Sequence, residues 1–204
     1  MAPLPALMPA AVYRGPRSIE VEERPVPDLG PRDVLVEVAH CGVCGSDLHM
    51  VIEGWGHPGS IGGHEWSGRI AALGPEVTRW SVGDEVVGGA VRCGRCRFCL
   101  AQRPSLCAER GLAGTGEWQG AFAGYVRERD DALHRVPPGL PLRVAALAEP
   151  LAVALHGICR GGARPGRSGS ARSARPRPRP RRRGTIGSRP APPPPPAPTT
   201  RGPR

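Results

Sequence analysis

The chain has no lysine, no asparagine, and no apolar run long enough for a secretory signal or a bilayer span. The opening MAPLPALMPAAVYRG has no basic region ahead of its apolar residues. Residues 1–9 therefore read as a flexible lead, and the protein as cytoplasmic with no membrane partner. The last 38 residues, 167–204, lack any acid and any aromatic side chain. Without aromatics such a segment has nothing on which to stack a nucleic-acid base. Its 11 arginines account for the whole excess of positive charge, since residues 1–166 carry 17 arginines against 18 acids. The formal net charge of +10 and the pI near 10.4 thus describe the tail and no folded surface. No specific nucleic-acid partner is expected.

The tail also holds 11 prolines, and Ile186 is its one large aliphatic residue, so it cannot bury enough surface to fold and reads as disordered. Two accounts of it stay open. A shifted reading frame in a GC-rich gene yields Arg, Pro, Gly and Ala, which agrees with the missing Lys and Asn. An evolved basic tail would instead bind phosphate backbones in a salt-dependent, sequence-independent way.

Seven cysteines, an odd number, argue against a fully paired disulfide framework. In a reducing compartment, clustered thiols point to metal. Cys93, Cys96, Cys99 and Cys107 follow C-x2-C-x2-C-x7-C. Four thiolates fill a tetrahedral zinc shell and leave no position for substrate, so this lobe (92–110) is expected to hold a structural zinc. An iron-sulfur cluster of the bacterial ferredoxin type would need its fourth Cys after three residues and a Pro behind it. Here the gap is seven, and Ala108 follows Cys107.

Residues 10–90 read as short strands separated by Gly and Pro: AAVYR, SIEVEE, VLVEVAHCGV at 34–43, HEWSGRIAALG at 64–74 and EVVGGAV at 85–91. Val34, Val36 and Val38 fall on one face of the third. GAFAGYVRE at 120–128 resumes strand character after the lobe. The fold class is mainly β, a compact antiparallel barrel-like domain over 10–166 with few helices. LAEPLAVALHGICRGG at 147–162 predicts one buried helix, with Pro150 at its first position. Gly111, Gly114, Gly116 and Gly120 do not form G-x-G-x-x-G and follow no strand, so they are not read as a phosphate cradle.

A second constellation combines CGVCGSDLH at 41–49 with GGHEW at 62–66. Cys44, His64 and Glu65 are residue types that suit zinc, yet each also has an ordinary account as a buried thiol, a satisfied histidine or a surface carboxylate. Cys41, Cys159 and His156 read as packing residues, and His57 as a loop histidine. His40 and His134 have no partner that spacing identifies.

Three stretches together, Cys44-Gly45-Ser46-Asp47-Leu48-His49, Gly63-His64-Glu65 and the four-cysteine lobe, resemble the catalytic, GroES-like domain of zinc-dependent medium-chain alcohol dehydrogenases. Ala148-Glu149-Pro150-Leu151 resembles the polyol, butanediol and threonine dehydrogenase branch. The resemblance implies that Cys44 and His64 bind a catalytic zinc, that Glu65 completes the shell directly or in exchange, and that Glu149 is an extra ligand through water. It further implies that Ser46 passes on the substrate proton, that His49 relays it toward solvent, and that Asp47 orients a ligand. The substrate would be a small alcohol, diol or polyol, and the cofactor of the intact enzyme NAD(P), with homo-oligomers usual in the family. The Rossmann-type cofactor domain that should begin near Gly166 is missing from the pattern. A zinc-binding fragment or interaction module without catalysis is the other reading.

Overall fold

A computed structural model of the chain describes residues 3–88, 93, 95–101, 103, 106–108 and 119–162. The expected tail at 167–204, the end of the strand read at 85–91, and Gly111, Gly114 and Gly116 lie outside the described residues.

Strand β3 (Asp33–Gly42) organises the molecule because it pairs on both edges, with β4 (Glu65–Leu73) on one side and β6 (Tyr125–Arg129) on the other. With β5 (Glu85–Gly88) and β7 (Leu133–Arg135) the strand order is β6-β3-β4-β5-β7, antiparallel throughout. The alternation in VLVEVAH places Val34 and Val36 in the main core with Trp66, Ile70, Val86, Val126 and Leu133, while Glu37 faces solvent. Each such fully buried aliphatic side chain stabilises the fold by about 1.5–3 kcal/mol. On β5 the alternation serves two clusters: Val86 enters the main core, and Val87 packs with Val136, Leu142 and Ala145. Leu142 and Ala145 belong to a short helix, α3 (Leu142–Ala145). Its Leu142 carbonyl accepts the buried Ser67 hydroxyl at 2.7 Å, which satisfies a polar group inside the sheet.

The first two strands, β1 (Leu7–Gly15) and β2 (Ser18–Pro25), form a separate antiparallel hairpin. Its free edge is stitched to the rest of the domain by hydrogen bonds from Ala11 N–H to Phe122 O and from Tyr13 N–H to Ser60 O, at 2.8 and 2.9 Å. This corrects the flexible lead expected at 1–9. Regular structure begins at Leu7, because Met8 is 1% exposed and its sulfur accepts the Tyr125 N–H.

Helices carry the other differences. Gly45–Glu53 is a helix (α1), where the sequence pattern had shown only a motif. Arg97–Leu100 forms the short helix α2. The expected helix near 147–162 is α4 (Ala148–Arg160), but Pro150 is its third residue and none of its residues is buried. Within the first turn the missing proline N–H leaves no intrahelical bond unmade, so the position is tolerated. Leu151, Val153, Leu155 and Ile158 are all more than half exposed, and His156 and Cys159 are exposed rather than packed. Among the described elements α4 touches the sheet at β4, and its apolar residues from Leu151 to Ile158 stay exposed.

Residues Leu142–Arg160 are, by length and composition alone, apolar enough to cross a bilayer (19 residues, mean hydropathy 1.5), contrary to the expectation that no such stretch exists. In the fold they are divided between α3, which packs on the sheet, and α4.

Candidate functional site

Pairing of β3 with β4 brings the two ligand-bearing motifs to one end of the sheet. Gly42, the last residue of β3, stands opposite Glu65, the first of β4. Cys44 lies two residues beyond the first, and His64 one residue before the second. The Cys44 sulfur, a His64 ring nitrogen and a Glu65 carboxylate oxygen all lie within 4.8 Å of one another. Donors around a tetrahedral zinc at about 2.0–2.3 Å stand roughly 3.5 Å apart, so a small contraction would close the three onto one ion.

Asp47 builds this corner. Cys44 is the N-cap of α1, and Asp47 at the third helical position takes the Cys44 N–H on Oδ2 at 2.9 Å. Its other oxygen accepts the Gly63 N–H at 3.3 Å and lies 3.6 Å from His64 Nδ1. One carboxylate, 7% exposed, therefore ties the start of α1 to the segment that enters β4. Burial alone would raise the Asp47 pKa; His64 and the N–H groups of Cys44 and Gly63 outweigh it, and the net shift is downward. The His64 pKa is raised to about 9, first by the Asp47 carboxylate facing it and then, against burial, by Cys44. With Nδ1 turned to Asp47, Nε2 is the nitrogen left for a metal, the usual carboxylate–histidine–metal arrangement.

The neighbouring thiol is different. Burial, reinforced by Asp47 and Glu65, pushes the Cys41 pKa up to about 12, so Cys41 stays protonated and packs against the main core.

The other expected site residues do not join the cluster. Ser46 and His49 sit on the exposed side of α1, and His49 Nδ1 pairs with Glu53 Oε1 at 2.7 Å. Glu149 is half-buried in the first turn of α4, outside the 4.8 Å set. His40 and His134 are exposed on strands, and His57 Nδ1 lies 2.9 Å from the Pro58 carbonyl oxygen. A cleft of about 430 Å³ between the β1–β2 hairpin and α1 is almost wholly apolar. Asp47 is part of its wall, but Cys44, His64 and Glu65 are not.

Two glycines shape the corner, Gly63, which the sequence reading named only as part of a motif, and Gly42, to which it gave no role. Gly63 has φ +93°, and a Cβ there would meet the Phe122 backbone N at 2.8 Å and the Cys41 sulfur at 2.9 Å. The Gly62-Gly63 pair immediately before a potential ligand was the available signal. Gly42 has no positive φ, and its value lies in the space above it.

In the lobe, the four sulfurs of Cys93, Cys96, Cys99 and Cys107 lie within 4.8 Å of one another, and no disulfide joins them. Backbone N–H groups point at them: Cys96 N–H to Cys93 Sγ at 3.3 Å and Cys93 N–H to Cys107 Sγ at 3.4 Å. The Cys96 pKa is lowered to about 6, first by the Ala108 N–H and then by that of Cys99. Donors aimed at sulfur favour thiolate, the form that binds metal. Both clusters therefore have the donor chemistry that zinc requires.

Comparison with known proteins identifies the domain. Residues 30–138 match the family described as the alcohol dehydrogenase GroES-like domain. Sorbitol dehydrogenase of Bacillus subtilis (strain 168) is 39% identical over 174 residues, covering 80% of this chain and 48% of that protein. Among solved structures, alcohol dehydrogenase TADH from Thermus sp. ATN1 superposes with TM-score 0.73 at 36% identity, covering 78% of this chain and 49% of that one. Galactitol-1-phosphate dehydrogenase from Escherichia coli gives TM-score 0.71 at 30% identity, covering 76% and 45%. The chain thus spans about half the length of the relatives it matches. With its five-stranded antiparallel sheet, its four-cysteine lobe and its Cys44–His64–Glu65 corner, it belongs to the alcohol dehydrogenase GroES-like domain family.

Proposed function

We propose that this chain is the zinc-holding half of a dehydrogenase that oxidises a small secondary alcohol, diol or polyol by hydride transfer to NAD(P). The observation that carries the reading is the convergence of a thiol, an imidazole and a carboxylate within 4.8 Å, with Asp47 behind the imidazole. The likeness to a sorbitol dehydrogenase points to the polyol class of substrate. Cys44, His64 and Glu65 would hold the ion, and Glu149 would approach it through water. A zinc bound there is a Lewis acid that lowers the pKa of a coordinated hydroxyl.

The chain's own residues supply the rest. Asp47 holds His64 in the tautomer that leaves Nε2 free, and its hold on the Cys44 N–H orients the thiolate. The Ser46 hydroxyl, two residues after Cys44, takes the substrate proton. His49, hydrogen-bonded to Glu53 at the exposed side of α1, passes it to solvent. Cys93, Cys96, Cys99 and Cys107 hold a second zinc that secures the lobe. Residues 10–166 form the catalytic domain and 167–204 a tail outside it, in a cytoplasmic, homo-oligomeric enzyme without nucleic-acid or membrane partners.

The exposed apolar residues of α4 favour a second reading, a zinc-holding module that turns nothing over by itself. Metal analysis and turnover separate the two. Two zinc ions per chain, falling to one in Cys44→Ser, are expected under both. Reduction of NAD(P) with a panel of polyols and diols by the chain joined to a cofactor-binding domain, abolished in Cys44→Ser, establishes the dehydrogenase. Two bound metals with no turnover on any member of the panel leave the module.

A further inference from the structure

The Glu65 carboxylate reaches the ligand cluster by lying across the face of β3. Gly42 and Glu65 are direct cross-strand partners, and partners at one register position share a face. A Cβ built on Gly42 would stand 2.5 Å from Glu65 Oε2, 3.3 Å from its Cβ and 3.6 Å from its Cδ. No real Cβ tolerates the first of these distances. The carboxylate therefore occupies the volume that any other residue at 42 would fill.

The usual reasons for a glycine do not apply here. Gly42 is not among the positive-φ glycines, so its backbone conformation is open to alanine. The three nearest atoms to its would-be Cβ all belong to the Glu65 side chain, and no backbone atom is among them. Glu65 is partly exposed and can rotate away. Alanine at 42 would accordingly leave the sheet intact and displace one carboxylate.

We infer that Gly42 is a positioning residue for the metal centre: its missing side chain is the space in which the Glu65 carboxylate folds back toward Cys44 and His64. The inference rests on the reading of Cys44, His64 and Glu65 as a metal site. It adds that this third donor is set by the partner strand's glycine, acting only through Glu65.

The test is a double-mutant cycle read by zinc affinity rather than turnover. The full chain, Gly42→Ala, Glu65→Ala and the double variant are titrated against a chromophoric chelator, and the weaker of the two zinc equivalents is followed. Losing a group that orients a ligand weakens metal binding by roughly 10–100-fold. Gly42→Ala should fall in that range in the parent chain and have no effect in the Glu65→Ala background. Unchanged affinity in Gly42→Ala, or an equal loss in both backgrounds, overturns the inference. If Cys44→Ser and Glu65→Ala both leave the weaker equivalent untouched, the metal-site reading itself fails. If they weaken it and Gly42→Ala does not, only the role of Gly42 fails. Should Gly42→Ala not fold, a double variant that folds supports the clash with Glu65, and one that also fails to fold refutes it.

Discussion

Replacing Asp47 by asparagine perturbs the corner at its most connected point. The two carboxylate oxygens accept N–H groups from two chain segments, Cys44 at 2.9 Å and Gly63 at 3.3 Å, and the second oxygen also faces His64 Nδ1. An amide has one acceptor oxygen, so its NH2 must face one of these donors. Leaving a buried N–H unsatisfied costs about 1–3 kcal/mol. The ion pair adds a pH-dependent part. His64 has a folded pKa of about 9 against 6.5 when free, so the stability it contributes is fully present below pH 6.5 and is lost as pH rises through 9. A shift of that size corresponds to an upper value of about 3 kcal/mol, and the two costs do not simply add. Urea unfolding followed by tryptophan fluorescence, with the Cys44 site stripped by a mild chelator, should show Asp47→Asn less stable by about 2–4 kcal/mol at pH 6. By pH 10 the gap should narrow to the cost of the unsatisfied N–H, about 1–3 kcal/mol. A gap equal at both pH values would refute the ion-pair argument, and no gap at either would refute the role given to Asp47.

Cys107→Ser removes one of four convergent sulfurs and should lower the zinc content by one ion per chain without weakening the Cys44 site, as measured by elemental analysis of both variants. Gly63→Ala places a Cβ 2.8 Å from a backbone nitrogen at φ +93°, and should cost about 1–3 kcal/mol in urea unfolding. A midpoint equal to that of the parent would count against the strained turn. Leu151→Glu with Leu155→Glu alters side chains that are 67% and 57% exposed, so stability should stay within about 0.5 kcal/mol while aggregation by light scattering falls. A clear loss of stability would mean that α4 is covered in the folded chain.

Residue chemistry and short-range spacing were determined by the sequence alone. The alternation of Val34, Val36 and Val38 marks a strand, C-x2-C-x2-C-x7-C marks a four-thiol cluster, and the short motifs Cys44-Gly45-Ser46-Asp47 and Gly63-His64-Glu65 mark the family, because each of these is a pattern of residues close together in the chain. Tertiary structure decided what spacing cannot carry. A shift of one residue in the β3–β4 register would turn every side chain of the strand to the opposite face, and only the observed register sets Gly42 against Glu65. Only the fold places the Gly63 N–H and His64 on a carboxylate sixteen and seventeen residues earlier in the chain. Only the fold ties Met8 down and leaves the apolar residues of α4 exposed, since apolar content states that a helix has a face to bury and not what lies over it. Ligand identity is a local property of the chain. Ligand geometry is a property of contacts between distant segments, and these exist only once the sheet has closed.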